Sequence, residues 1–255
     1  MKQRWLMASM PYLFTAGFFL IWQVACMVGH IPEFVLPAPI RVFEVIIRQR
    51  DALAYHAWFT LAVTLVGFAV AVAAGIGLGL VIGVSPAAYA GLYPLLIAFN
   101  AVPKVAVVPI LVIWTGIGAV PAIISAFIIS FFPIVVNVAT GLATIEPETQ
   151  DVMRSLGASR YKIMTKVGIP RSMPYLFASL KVAITLAFVG SVISETIAGD
   201  RGIGALMMRA STNFDTPLSF AGLTVVAAMG VGMYFLFALL ERRFVGWAFR
   251  AQNQH

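Results

Sequence analysis

The sequence predicts an all-α, polytopic membrane protein with six transmembrane helices, and three observations lead there. Apolar residues make up 61% of the chain and charged ones 11%, which leaves too little charge to coat a soluble protein of this length. Six uncharged or nearly uncharged runs, 6–28, 58–84, 92–115, 119–143, 173–198 and 218–240, reach the roughly 20 residues that a helix needs to cross a bilayer core. None of them alternates polar and apolar residues over about ten positions, as the strands of a membrane barrel do. The chain, 1–255, reads as a single transmembrane domain.

The first run is too long for the apolar region of a secretory signal and has no small-residue cleavage site behind it, so it is expected to stay as a span. Cys26 is the one cysteine; it has no internal partner and is expected to be a small packing residue. Three histidines with no Cys/His cluster argue against a metal site. In loop 29–57, Pro39 suits a first helical turn, and Ile40, Phe43, Ile46 and Ile47 form an apolar stripe with Glu44 and Arg48 four apart. A short amphipathic helix lying on the membrane surface is expected there. The second span carries Gly67, Ala71, Gly75, Gly79 and Gly83 at four-residue spacing, a stripe that lets another backbone come close.

The third span holds Pro103 and Pro109, each of which removes a backbone donor, so kinks are expected. Lys104 lies about twelve residues from one end of that span, too deep to reach the headgroups, and needs a partner or a wet cavity. Lys181 and Glu195 in the fifth span raise the same question. Lys181 reaches either the near interface or a hydrated path, and Glu195 either the far headgroups or a buried partner. Asn100, Lys104, Asn137 and Lys181 are the candidate lining of a polar path through the third, fourth and fifth spans.

Six spans put both termini on the same side as loops 85–91 and 144–171. That side carries Lys2, Arg4, Arg154, Arg160, Lys162, Lys166, Arg171, Arg242, Arg243 and Arg250, against Arg41, Arg48, Arg50, Arg201 and Arg209 opposite. The excess makes the termini cytoplasmic. This asymmetry largely accounts for the net charge of +7, so a basic face beside anionic lipid is expected and nucleic-acid binding is not.

The cytoplasmic loop, about 144–171, contains "DVMRSLGASRYKIMTKVGIP" at 151–170, a charged island between two apolar spans. Pro147 and Glu148 suit the start of a helix. Val152, Leu156, Ile163 and Val167 fall on one helical stripe, off which lie Asp151, Arg154, Lys162 and Lys166. Gly157 can take the left-handed conformation that ends a helix, and Ser159 can cap the next one. Two short helices with an elbow are expected, the second stopped by Gly168 and Pro170.

The spacing from Gly157 through nine residues to Val167-Gly168-Ile169-Pro170 resembles the cytoplasmic loop signature of permease subunits in ABC importers. Asp151, Val152 and Met153 stand where that family has Glu-Ala-Ala. Further stretches are similar to the nitrate, sulfonate, taurine and thiamine-precursor branch of the family: "LPAP" at 36–39, "PKVAVVPILVIWTGIG" at 103–118, "FFPIVVNVATG" at 131–141, "SLGASRYKI" at 155–163 and "SETIAGDRGIGALM" at 194–207. The resemblance implies a homodimeric inner-membrane permease with two cytoplasmic ATPase subunits and an external solute-binding protein. It also implies that Asp151, Val152, Met153, Leu156, Gly157, Ala158, Ser159, Val167, Ile169 and Pro170 dock the ATPase. Members of the branch import small anions, sulfonates, pyrimidines, flavins and aromatic acids.

The chain has no G-x-x-x-x-G-K-[ST] loop, so no nucleotide cofactor is expected on it; ATP and Mg belong to the partner subunit. Nor does it show a serine/histidine pair, a zinc motif or an intramembrane acid pair at useful spacing, and a catalytic site of its own is not expected. The rival reading is a secondary transporter that uses Lys104, Lys181 and Glu195 as an ion pathway.

Overall fold

A computed structural model describes residues 2–143 and 147–252, with side chains except at 2–8, 147, 150, 160 and 248–252. Residues 144–146 of the expected cytoplasmic loop thus lie outside the described residues, as do the side chains of Lys2, Arg4, Arg160 and Arg250. Helix α1 spans Lys2–Val28, α2 Pro39–Arg48, α3 Arg50–Val84, α4 Pro86–Ala101, α5 Lys104–Thr115 and α6 Ala119–Ala143. After the undescribed gap come α7, Pro147–Ser155, α8, Arg160–Ile163, a wide π turn over Met164–Gly168, α9, Ile169–Ala198, α10, Ile203–Thr212, and α11, Thr216–Gln252. By length and composition five of these helices can cross a membrane, and α4 with α5 makes a sixth span when the bent pair counts as one.

Helices α3, α6 and α9 form the centre of the molecule, because their facing sides carry residues small enough for backbones to meet. A Cβ on Gly67 would fall 2.5 Å from the Ile123 carbonyl oxygen, and one on Gly79 2.7 Å from the Val138 Cβ. Gly75 and Gly83 face Ile134 and Leu142 in the same way. The whole small-residue stripe of α3 is therefore occupied by α6 of the same chain. On the other flank of α6, Gly190 of α9 comes so close that a Cβ would lie 2.6 Å from the Ser125 carbonyl oxygen. Ala71, Ala126, Ile134, Ala183, Ile184 and Ala187 fill the seam without exposure. In hydrocarbon this close packing, and not water exclusion, holds helices together.

A second cluster at one end of the bundle joins α2, the start of α3, α10 and α11 through Val42, Leu53, Ile203, Ala210, Leu218 and Ala221. Pro39 opens α2, as its fixed φ favours. Glu44 pairs with Arg41 at 2.9 Å, and Arg41 reaches Glu33 at 3.4 Å, so the expected Glu44–Arg48 pair does not form. Val42 turns inward, while Ile40, Phe43 and Ile47 stay open to the surroundings. Helix α4 touches the central bundle through Tyr93 and Leu96, which pack against Ile82, Val135 and Ala139, and none of its residues is buried.

Two expectations from the sequence need correction. The run 92–115 is not one kinked helix, since α4 and α5 meet at 89°. Pro103 cannot donate to the preceding turn and forces Val102 into extended backbone, φ −68° and ψ 128°, so helix gives way to a corner. Pro109 lies within α5 without ending it. Nor do Gly168 and Pro170 stop the helix that follows the elbow: helical backbone runs on from Tyr161 to Ala198. The missing amide of Pro170 is absorbed by the wider π turn, in which the Ile169 amide donates to the Met164 carbonyl five residues back.

Candidate functional site

The elbow between α7 and α8 is built from backbone chemistry. Gly157 has φ +79°, its amide donates to the Arg154 carbonyl at 2.9 Å, and the Ala158 amide donates to the Met153 carbonyl at 2.9 Å. These two bonds make a Schellman close, which needs a left-handed residue at the position of Gly157. The Ser159 hydroxyl accepts from the Lys162 amide at 3.3 Å and so caps the next helix. Asp151 and Arg154 pair on the surface at 3.1 Å.

The elbow also divides the apolar stripe expected across it. Val152 and Leu156 point outward, Leu156 with 77% of its surface exposed, whereas Ile163 is buried against the bundle. One face of the element is anchored and the other is presented. Tyr161, also exposed, extends the presented face, and nothing in the sequence marks it because it lies off the aliphatic stripe. Met153 and Ala158 are half-buried, Asp151, Gly157 and Ser159 are exposed, and Val167, Ile169 and Pro170 sit where the π turn joins α9. A cavity of about 520 Å³ separates the element from the ends of α3 and α6, with Ile82, Leu142, Arg154 and Met164 in its walls.

The candidate path residues fall into separate arrangements. At the α4–α5 corner the Lys104 ammonium donates to the Asn100 side-chain oxygen at 2.6 Å and to the Asn100 backbone carbonyl. In an unbroken helix that carbonyl would take the Lys104 amide; at the corner the side chain of the same residue replaces it. Asn137 donates to the Pro133 carbonyl in its own helix at 2.8 Å. Lys181 pairs with Glu241 of α11 at 2.6 Å, with 19% and 9% of the two side chains exposed. Among the described residues no hydrogen bond links Lys104, Asn137 and Lys181 to one another.

Glu195 does not reach the headgroups. It is 1% exposed and accepts through Oε2 from the Thr60 hydroxyl and the Gly204 amide, both at 2.9 Å. Thr64 and Ser191 share a further buried hydrogen bond of 2.6 Å one turn along. The three ionisable residues of the rival ion pathway are thus tied to separate partners. Glu241 is hidden in the sequence because the neighbouring Arg242 and Arg243 read as the end of a span. Thr60 gave no signal, since a lone threonine in an apolar run reads as core. Among the described residues no three His, Cys, Asp or Glu side chains gather closely enough to hold a metal ion.

Comparison with known proteins agrees with this architecture. Residues 72–246 match the family model of the binding-protein-dependent transport system inner membrane component. The chain is 33% identical to the riboflavin transport system permease protein of Chloroflexus aurantiacus, over 89% of this chain and 86% of that one. It is 28% identical to the formylaminopyrimidine transport permease protein of Halalkalibacterium halodurans, covering 93% and 95%, and 26% identical to the taurine transport system permease protein of Escherichia coli, covering 89% and 85%. Among solved structures it is similar in fold to a chain of the methionine ABC transporter in inward-facing conformations, with TM-score 0.67 and 20% identity over 77% of this chain and 98% of that one.

Proposed function

The chain belongs to the family of binding-protein-dependent transport system inner membrane components, and from that premise we propose how its parts divide the work of an ATP-driven importer. It is the multi-pass permease of an ABC transporter; in this family ATP is hydrolysed on a separate subunit, and solute comes from a binding protein. The elbow of α7 and α8 is the element that the ATPase grips. Asp151, Val152, Met153, Leu156, Gly157, Ala158 and Ser159 form its contact face, and Val167, Ile169 and Pro170 its joint to α9. The observation that carries this is the elbow itself, an outward apolar tip on an inward anchor. A cleft can hold such a convex tip by burying Leu156 and leaving the charges at the rim, and α9 transmits its displacement into the core as a rigid rod.

The solute path runs along α5, α6 and α9, with Asn100 and Lys104 at the corner and Asn137 and Lys181 deeper, and suits a small polar or anionic solute. Sulfonates, pyrimidine precursors and flavins are the classes carried by relatives. A second copy of the chain completes the path, because most of α4 stays exposed in one copy and a two-fold pair encloses a central route. Both termini and the elbow face the cytoplasm, where the basic excess meets anionic lipid. This chain binds no nucleotide; ATP and Mg sit on the ATPase.

Purified permease, ATPase subunit and binding protein, reconstituted in proteoliposomes, test the reading. Uptake of the solute is expected only with all three components and ATP. Uptake driven by an ion gradient through the permease alone would replace it with the secondary-transport alternative.

A further inference from the structure

A buried carboxylate in a spanning helix is costly, and nothing said so far of the path or the elbow uses Glu195. Its described partners are neutral donors. They belong to a larger arrangement in which three successive amides at the start of α10 are held by two other helices. The Gly202 amide donates to His56 Nδ1 at 3.1 Å, the Ile203 amide to Thr60 Oγ1 at 2.9 Å and the Gly204 amide to Glu195 Oε2 at 2.9 Å. His56 and Thr60 come from α3 and Glu195 from α9. The fit is close: at φ +99° Gly202 presents its α-carbon to the carboxylate, and a Cβ there would lie 2.2 Å from Glu195 Cδ. No residue but glycine allows this approach.

Next to this cluster, α9 also holds the turn after α5. The Gly118 amide donates to the Ala198 carbonyl, the last of α9, at 3.3 Å, and Asp200 lies alongside Gly118. A cap that served α10 alone would come from a polar residue at its own start. Asp200 is available but is turned to Arg201 at 3.2 Å. The cap comes instead from a different helix, and its second oxygen, Glu195 Oε1, is buried with no partner. A locally replaceable cap would not leave a buried acceptor empty.

We infer that Glu195 is a positioning residue for transport: as a hydrogen-bond acceptor it clamps α10 to the ends of α3 and α9, beside the 116–118 turn that α9 holds through Ala198, so that the outer closure of the solute path moves as one body with α9. The inference rests on the proposed path along α5, α6 and α9. What Glu195 supplies is an acceptor, and a neutral amide oxygen can do the same.

The test uses the complete complex in nanodiscs, with nitroxide labels on cysteines replacing the exposed Ile117 and Met208 in a Cys26→Ala background and labelled permease diluted with unlabelled. The parent complex is expected to give one narrow 117–208 distance. Glu195→Gln should keep both the distance and ATP-driven uptake. Glu195→Ala should raise the undocked fraction by about tenfold or more, as loss of a buried acceptor implies, and lower uptake with the ATPase still bound. Thr60→Val, similar in shape and lacking both bonds, should broaden the distance likewise if the alanine variant does not fold. A glutamine variant as broad as the alanine one would overturn the inference, and so would Glu195→Ala and Thr60→Val both keeping the parent distance. Failure of the underlying transport reading looks different: the parent complex would show the narrow distance and no ATP-driven uptake.

Discussion

At the scale of single residues, Gly157 separates the local from the global cause of function. Its φ of +79° is met by nothing within 4 Å of the place where a Cβ would stand, so a substitution there meets no steric obstacle and is opposed only by the backbone. That opposition is roughly 1–2 kcal/mol for an ordinary L residue and greater for a β-branched one. Gly157→Val is therefore expected to insert and keep the fold while opening the elbow, and to lose the ATPase subunit on co-purification. Gly157→Asn, which tolerates the left-handed region, should retain it. Equal retention by both variants would mean that the elbow's angle does not matter to docking. Lys104 illustrates a different relation between residue and role, since its charge closes the end of α4 through Asn100.

At the scale of elements, α9 joins the elbow, the core and the far-side cap, and it meets α11 through the Lys181–Glu241 pair beside the stacked Phe177 and Phe244. Both side chains are largely buried, so removal of one partner leaves an uncompensated charge and should cost about 3–5 kcal/mol. Lys181→Ala is expected to lower the unfolding temperature in detergent markedly, and Lys181→Met with Glu241→Leu to recover most of the loss. If the double variant is as unstable as the single one, the pair is not what joins the helices. The spans themselves were legible because hydropathy sets them, and the elbow because glycine and serine act within a few residues of their own positions. The 89° corner and the continuous passage from α8 into α9 were not. Each depends on how a proline's missing donor is accommodated, by a break at Pro103 and by a wider turn before Pro170, and a proline symbol alone does not decide between these. Glu241 lies sixty residues from Lys181, and Thr60 more than a hundred from Glu195, beyond any local pattern.

At the scale of the whole molecule, the α3–α6–α9 core is fixed by backbone contact along its length, and such a core moves as a unit. The stripe of glycines read from the sequence as a surface for another helix is consumed inside the chain, which leaves α4 and the open faces of α1 and α11 to meet lipid or the second copy. An importer built this way needs one place where the ATPase can act on the rigid core, and the outward tip of the elbow is that place in this account. The most direct measurement puts a photo-crosslinking residue at Leu156 in the assembled complex, with Ile113, exposed on α5, as the control. Docking at the elbow tip requires Leu156 to crosslink to the ATPase subunit and Ile113 not to. A complex that carries out ATP-driven uptake while Leu156 yields no such product would contradict it.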